Sequence, residues 1–472
     1  MHAQQTAVAT RPLEFDPGLI RRLTMSGPRY TSYPTADRFN ERFAYRDYLQ
    51  AVAGRRTQGS AQPLSLYVHI PFCDTVCYYC ACNKIVTRRR EKAATYLGYL
   101  KREIELQGQL FAGINHVEQL HLGGGTPTYL SDAQMEDLMA HVRRCFHLAA
   151  DEVGEYSIEV DPRTVDAERV QSLRRQGFNR ISLGVQDFDP DVQKAVNRIQ
   201  PEAETRAVIA AAREAGFRSV SIDLIYGLPL QSVETMSVTL DKVIAANPDR
   251  ISVYNYAHLP HLFKPQRRIV EEELASPDEK LRMLSLCIER LCSAGYVYVG
   301  MDHFARPDDE LAVAQRQGRL HRNFQGYSTH ADADLVSCGV SAISAVGPSY
   351  SQNVKTLDAY YSHLDRNELP IARGIRLSMD DVLRRLIIQR LMCHFELSIA
   401  SVEQAYPVTF ATYFESELAQ LRRLEQDGLL TIEPDWISVT PRGRLLIRNI
   451  CMVFDRYLQE KRADGPRYSR TI

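Results

Sequence analysis

Four of the ten cysteines in this 472-residue chain, Cys73, Cys77, Cys80 and Cys82, fall within ten positions. Thiolates spaced C-x3-C-x2-C on one loop can converge on a single soft metal centre, because each side chain needs only a short reach. We read the stretch SLYVHIPFCDTVCYYCACNKIVT as an iron–sulfur loop. A closed electron-transfer cluster wants four thiolates, whereas Cys73, Cys77 and Cys80 leave one iron open, much as a catalytic zinc keeps a free position. An open iron implies chemistry on a bound molecule. The competing readings are a structural zinc held by all four cysteines, or cysteines without metal. Against zinc, Cys80 and Cys82 are one residue apart, and neither a second C-x2-C nor a His pair follows at zinc-finger spacing.

Such a loop has to be carried by something rigid. From residue 63 to about 300, β-branched apolar runs alternate with segments of helical period. Strands are expected at 64–70, 117–122, 154–160, 179–185, 218–224 and 249–256, with YVYVGM near 300 beginning another. Helices are expected at 91–112, 131–147, 166–176, 202–216, 232–247 and 277–295. This alternation predicts a parallel sheet. Each strand ends in a distinctive string, HIPFC, HLGGGTP, IEVDP, GVQDF, DLIYGLP and YNYAHLP. Polar and glycine-rich strings at successive strand ends are the arrangement of a β/α barrel, although an open sheet binds at that edge too. One string alone reads as a tight turn; six in register point to a shared site.

The HIPFC…CYYCACNKIVTR string resembles the cluster loop of radical S-adenosylmethionine (SAM) enzymes, and within them the oxygen-independent coproporphyrinogen III oxidases. The related haem chaperones share the first three cysteines and typically lack the continuation from Cys82 to Thr87. The resemblance runs from GPRYTSYPTA to GRLLIRNIC and implies a partial, six-unit TIM-like β/α barrel of the radical SAM type, carrying an N-terminal extension and a C-terminal, mainly helical, winged-helix-like domain. It implies a [4Fe–4S] cluster on Cys73, Cys77 and Cys80, with SAM at the open iron and a second SAM beside it. Tyr67, Tyr79, Gly124, Glu159 and Ile343 match contacts of the first SAM, and Gly125, Thr126, Gln186, Arg198, Asp223 and Ala257 those of the second. Gly123, Gly124 and Gly125 bare the backbone where a strand turns, which suits the SAM amino group. Glu159 suits ribose hydroxyls. The alternatives for the polar residues are a water-facing carboxylate and surface salt bridges. Tyr79 stands where a Phe is common in the family and Ala81 where a Gly is common.

The implied reaction is oxidative decarboxylation of two propionates of coproporphyrinogen III to vinyl groups, with a flavodoxin or ferredoxin as reductant. His69, Cys82, Phe324 and Gln325 are candidates for substrate-side or electron-transfer roles, and His69 reads equally well as a residue that shapes the loop.

Composition sets the outer bounds. A net charge of -1 gives no global attraction for nucleic acid or membrane. There is no apolar run of about 18 residues and no secretory leader in MHAQQTAVATRPLEFDPG, so a cytoplasmic protein is expected; a monomer is the accompanying expectation, which no residue pattern fixes. The other six cysteines, at 145, 287, 292, 338, 393 and 451, are expected to pack as small hydrophobes. Four stretches are expected: 1–62 as an extension lying on or over the barrel, 63–300 as the barrel, 301–373 as a loop-rich cover and 374–472 as a helical domain. In that last stretch, helices at 379–394, 398–405 and 409–427 precede a hairpin and a final helix from Leu445 to about Lys461. The winged-helix likeness raises a zinc-stabilised nucleic-acid-binding protein as a further alternative, which leaves the six strand-end strings without a purpose.

Overall fold

The computed structural model describes residues 13–57, 62–459, 468, 470 and 471. The chain divides into two compact units, one built from residues 38–279 and 332–376, the other from 1–37, 280–331 and 377–472.

The first unit holds the cysteine loop. Its strands are β1 (Leu64–Ile70), β2 (His116–Gly124), β3 (Glu155–Val160), β4 (Arg180–Gln186), β5 (Ser219–Tyr226) and β6 (Arg250–Asn255), all parallel and each paired with the next in the chain. The apolar sequence LSLYVHI of β1 is buried at six of seven positions, as a strand covered on both faces requires. The crossovers are helices α1 (Arg90–Leu110), α2 (Asp132–Cys145), α3 (Ala167–Arg175), α4 (Glu202–Glu214) and α5 (Val233–Ala246). Helices α2 and α5 begin with capping boxes, Ser131 with Gln134 and Ser232 with Thr235, which satisfy amide groups that a first turn leaves open. Every expected barrel strand and helix over this range forms, within three residues of its predicted ends.

The stretch 301–373 departs from expectation. Its second half adds β7 (Asp334–Cys338), β8 (Ile343–Ala345), β9 (Ser349–Asn353) and β10 (Ile371–Arg376) to the sheet. β7 runs parallel to β1, with Leu64 opposite Asp334 and Val68 opposite Cys338, and the other three continue antiparallel. The strand leading into the cysteine loop is therefore interior to the sheet, flanked by β2 and β7. A buried carboxylate fastens this junction. Glu103 of α1 accepts from the Gly339 amide at 2.7 Å, Asn353 Nδ2 at 2.7 Å and the Tyr360 hydroxyl at 2.5 Å. Burial pushes the Glu103 carboxyl up to about 7 against these donors. Nearby, the Tyr96 hydroxyl donates to the His69 carbonyl at 2.7 Å and accepts from the Val340 amide at 3.1 Å.

The second unit contains the expected C-terminal helices Met379–His394 and Ile399–Ala405, while 409–427 divides into Phe410–Tyr413 and Glu415–Gln426. The hairpin of Leu430–Ile432 and Trp436–Val439 gains a third strand, Glu396–Ser398. The final helix breaks into Ile447–Val453 and Arg456–Gln459. The GPRYTSYPTA string groups with this unit. The Tyr30 hydroxyl donates to Asp455 Oδ2 at 3.0 Å, and Arg448 Nε donates to the Pro28 carbonyl at 2.9 Å. YVYVGM forms Val297–Gly300, antiparallel to His303–Ala305. Cys287, Cys338, Cys393 and Cys451 are buried, Cys145 is half-buried, and Cys292 is exposed against expectation. No helix among the described residues is long and apolar enough to cross a membrane.

Candidate active site

After β1 the chain forms a two-residue parallel ribbon in which Phe72 and Cys73 pair with Ile85 and Val86. The rest of the loop is pinned by a turn after β4: Val196 accepts from the Tyr78 amide at 2.9 Å, and Asn197 Nδ2 donates to the Val76 carbonyl at 2.7 Å. Cys73, Cys77, Cys80 and Cys82 all line one cavity of about 1230 Å3 within this unit. Donors are aimed at the sulfurs. Thr126 Oγ1 lies 3.5 Å from Cys73 Sγ, Arg198 Nη1 lies 3.5 Å from Cys77 Sγ, and Arg163 Nη2 lies 4.0 Å from the same sulfur. The Cys82 thiol beside Cys80, with Lys84 close by, brings Cys80 down to about 5 against the push of burial, and Cys82 is raised in return. Burial raises Cys73 to about 11. Among the described residues no three Cys, His, Asp or Glu side chains are grouped so as to hold a single ion. Thiols around a shared cavity, each with a hydrogen-bond donor or cation in reach, fit a polynuclear thiolate cluster.

The glycines at the end of β2 are required by what surrounds them. A Cβ on Gly123 would lie 2.9 Å from the Glu159 carboxyl group, one on Gly124 2.6 Å from the His69 ring, and one on Gly125 2.7 Å from the Phe72 carbonyl. Gly124 also has φ +118°, a conformation other residues rarely adopt. The N–H groups here are already used: Gly124 donates to Glu159 Oε2 at 3.1 Å, Gly125 to Ile70 O at 2.8 Å and Thr126 to Phe72 O at 2.8 Å. Recognition of a ligand by this backbone therefore falls to carbonyl oxygens, which suits an ammonium group.

A continuous polar network joins the strand ends. The His69 Nε2 donates to the Asn83 carbonyl at 3.0 Å, so Nδ1 is the acceptor for the Tyr67 hydroxyl, also at 3.0 Å. Burial lowers the His69 pKa, in keeping with this neutral tautomer. The Tyr67 ring stacks on His121, 5.8 Å between centroids, and His121 reaches Glu159 Oε1 at 3.2 Å and Ser157 at 2.6 Å. Removal from bulk water opposes the Glu159 charge, but His121, the Gly124 amide and His69 hold its carboxyl below the usual range. Both His69 nitrogens are thus engaged inside the protein, which favours its role in shaping the loop.

Further along the cavity, Arg198 bridges Asp161 Oδ2 at 3.1 Å and the Gly184 carbonyl at 2.5 Å. Its Nε is buried with no hydrogen-bond partner among the described residues, an open donor in a cavity wall. Gln186 sits at a bulge in β4 with φ +69°. Asp223, in β5, lies 3.3 Å from Ser182 Oγ, and burial, with the Glu159 charge nearby, pushes it up to about 6 despite hydroxyl donors from Ser252 and Ser182. Gln266 Nε2 donates both to the Tyr79 carbonyl at 3.0 Å and to the Ala257 carbonyl at 3.2 Å, tying the cysteine loop to the segment after β6.

The comparisons with known proteins bear on this cavity directly. The radical SAM superfamily model matches residues 67–243, and the HemN C-terminal domain model matches 377–446. The oxygen-independent coproporphyrinogen III oxidase of Pseudomonas aeruginosa is 52% identical over 460 residues, 98% of this chain and 99% of its own. That of Escherichia coli K12 is 52% identical over 465 residues, 98% of this chain and all of its own. The solved structure described as "Coproporphyrinogen III oxidase (HemN) from Escherichia coli is a Radical SAM enzyme" superimposes with a TM-score of 0.90 at 51% identity, covering 95% of this chain and 100% of that one. The chain belongs to the oxygen-independent coproporphyrinogen III oxidase family.

Membership makes it a radical SAM oxidoreductase with a [4Fe–4S] cluster and SAM as cofactors. Among the residues matched to SAM contacts, Tyr79, Gly124, Gly125, Thr126, Glu159, Gln186, Arg198 and Asp223 line the one cavity. Tyr67, Ala257 and Ile343 do not line it: Tyr67 stacks on His121, which reaches Glu159, Ala257 is tied to Tyr79 through Gln266, and Ile343 begins β8, its carbonyl accepting from Ser337 Oγ at 2.6 Å. Phe324 and Gln325 belong to the second unit, in the turn of a hairpin pairing His321–Asn323 with Gly326–Ser328. Asn323 Oδ1 accepts the Gln325 amide there at 2.9 Å. His121, Asp161, Arg163 and Gln266 were not foreseen. His121 shares the strand face of Gly123, two residues on, so alternation along β2 carried a signal for it, while Asp161 and Arg163 stand just past β3 in the IEVDPR string, signalled by their place at a strand end.

Proposed function

We propose that this chain converts two propionates of coproporphyrinogen III to vinyl groups, giving protoporphyrinogen IX in haem biosynthesis. The observation that carries the reading is the single cavity uniting three cysteine thiols with the polar strand ends, in a chain that matches these oxidases along 98% of its length. Cys73, Cys77 and Cys80 are the residues that would hold the cluster. When bound, the cluster and SAM would supply the one-electron chemistry that removes a hydrogen atom from the propionate β-carbon, with carbon dioxide leaving and the remaining electron passing to a one-electron acceptor.

The protein's own part is positioning and exclusion of water. Tyr67, Tyr79, Gly124, Glu159 and Ile343 are the proposed contacts of a first SAM. Glu159, kept ionised by His121 and the Gly124 amide, accepts from sugar hydroxyls, and the Tyr79 ring offers a face for adenine. Gly125, Thr126, Gln186, Arg198, Asp223 and Ala257 are the proposed contacts of a second SAM, where Arg198 presents its open Nε to a carboxylate. His69, Cys82, Phe324 and Gln325 remain proposed substrate-side or electron-transfer residues, with His69 the one whose hydrogen bonds favour a loop-holding task. A flavodoxin or ferredoxin as reductant, a cytoplasmic location and a monomeric state complete the proposal.

The test is anaerobic reconstitution with iron and sulfide, followed by SAM, a chemical reductant and coproporphyrinogen III. Substrate-dependent release of carbon dioxide with formation of 5′-deoxyadenosine is expected; cluster and SAM cleavage without carbon dioxide overturns the assignment.

A further inference from the structure

The proposed reaction needs an electron delivered to a cluster, and one edge of the cysteine loop has features that the cavity does not use. Cys73 pairs on its outer side with Val86, the Thr87 amide donates to the Cys73 carbonyl at 3.0 Å, and the Ile85 amide donates to the Pro71 carbonyl at 2.6 Å. Val86 is nonetheless 44% exposed. A single strand of backbone therefore separates an apolar surface residue from a thiol assigned to iron.

That strand runs directly into Arg88, Arg89 and Arg90, all exposed, with Lys92 exposed in the first turn of α1. Arg90 is committed: it pairs with Asp74 at 2.8 Å, donates to the Tyr129 carbonyl at 2.8 Å and lies 3.7 Å above the Tyr129 ring. Among the described residues, Arg88 and Arg89 have no side-chain hydrogen bond or ion pair, and they do not line the cavity, whereas Lys84 and Arg90 do. The acids close in sequence are Asp74, already paired, and Glu91, so the edge keeps a local positive excess on a chain of net charge -1.

A run of exposed cations alone is an ordinary solvated face. Here it surrounds an exposed valine whose strand partner is a cluster cysteine, and that placement gives the cations a use. We propose that the edge formed by Val86, Arg88 and Arg89 is the docking surface for a small acidic one-electron carrier protein. This rests on the function proposed above. In the transfer the carrier loses one electron and the cluster gains it, with no bond made or broken. Contacts of this kind are small and transient, and charge sets how fast they form more than how tightly they hold.

The experiment compares two reductants on the reconstituted holoenzyme under anaerobic stopped flow, following bleaching of the cluster absorption. One is reduced flavodoxin, an acidic carrier protein; the other is photoreduced 5-deazariboflavin, a small molecule. In the wild type, the second-order rate with flavodoxin is expected to fall steeply with added salt. In Arg88→Glu/Arg89→Glu it is expected to drop about tenfold or more at low ionic strength and to lose that salt dependence, with the deazariboflavin rate unchanged. The proposal is overturned by a flavodoxin rate that the charge reversal leaves intact. It is also overturned by equal slowing with both reductants, which would make the arginines supports of the cluster, or by a raised KM for coproporphyrinogen III with deazariboflavin, which would make them a substrate rim. Failure of the proposed function shows separately, as absence of carbon dioxide release by the wild type with deazariboflavin.

Discussion

Arg198 Nη1 lies 3.5 Å from the Cys77 sulfur while the same nitrogen holds Asp161 Oδ2 at 3.1 Å. A cation so placed stabilises added negative charge on a thiolate-bound cluster, and Asp161 fixes its direction. Arg198→Gln keeps a hydrogen-bonding side chain without the charge. It is expected to lower the cluster's reduction potential, read by redox titration of the reduced-cluster EPR signal, and to slow SAM cleavage by about 10- to 100-fold. An unchanged potential would show that the guanidinium acts on the ligand side of the cavity alone.

The four cysteines of the loop should separate in a metal assay. Cys73→Ser, Cys77→Ser and Cys80→Ser are each expected to lose most of the iron, sulfide and visible absorption after anaerobic reconstitution, because a cluster with two thiolates is poorly held. Cys82→Ser should retain iron and sulfide near wild-type content. Loss of the cluster in that variant would place Cys82 among the ligands.

At the end of β2, the expected damage follows what an added methyl group meets. Gly125→Ala pushes into the backbone of Pro71 and Phe72, which has no rotamer to yield, and Gly124→Ala meets a histidine held at both nitrogens in a conformation with φ +118°. Each is expected to cost on the order of 1–3 kcal/mol in unfolding free energy and to weaken SAM binding. Gly98→Ala, on α1 with nothing within 4 Å of its new Cβ, should be neutral or slightly stabilising. Thermal melts and SAM titration of the three variants check the order.

Glu103 gives the protein a pH signature. Its folded-state pKa, about 7, lies above the ordinary 4.5, so the folded chain holds this proton where the unfolded chain has released it. Its contribution to stability is therefore full below about pH 4.5, falls as pH rises toward 7 and levels off above, a change on the order of 3 kcal/mol. Glu103→Gln keeps an oxygen for Gly339 and Tyr360, loses the acceptor for Asn353 and removes the titration. Its melting temperature should decline less between pH 5 and 7 than that of the wild type, as measured by calorimetry; parallel curves would count against the buried proton.

How much of this was readable in the chain differs by region. The six barrel strands declared themselves because short runs rich in β-branched and apolar residues, nearly continuous in LSLYVHI and alternating in SVSIDLIY, fit the pleat of a largely buried strand. β7 did not, because DLVSC is only five residues long, follows a polar loop and is followed at once by Gly339, so nothing local separates it from a turn. Only its partner β1 reveals it. The candidate site was legible wherever a residue type is chemically unusual for its position, as with the cysteines, the three glycines and Glu159. Gln266 was invisible for the opposite reason. It lies in the string KPQRR and acts through an amide that bridges two carbonyls distant in sequence, a relation that no local pattern encodes.

The pairing of β1 with β7 also sets a timetable. Leu64 and Asp334 are neighbours in the sheet, so the strand leading into the cysteine loop has one bare edge until some 270 further residues have left the ribosome. Through that interval β1 offers unpaired amides and carbonyls next to reactive thiols, the combination that invites strand addition by another chain. Fragments ending before residue 334 should accordingly be poor acceptors of iron and sulfide and prone to aggregate, so cluster loading belongs at the end of synthesis, after the seventh strand has closed over the first.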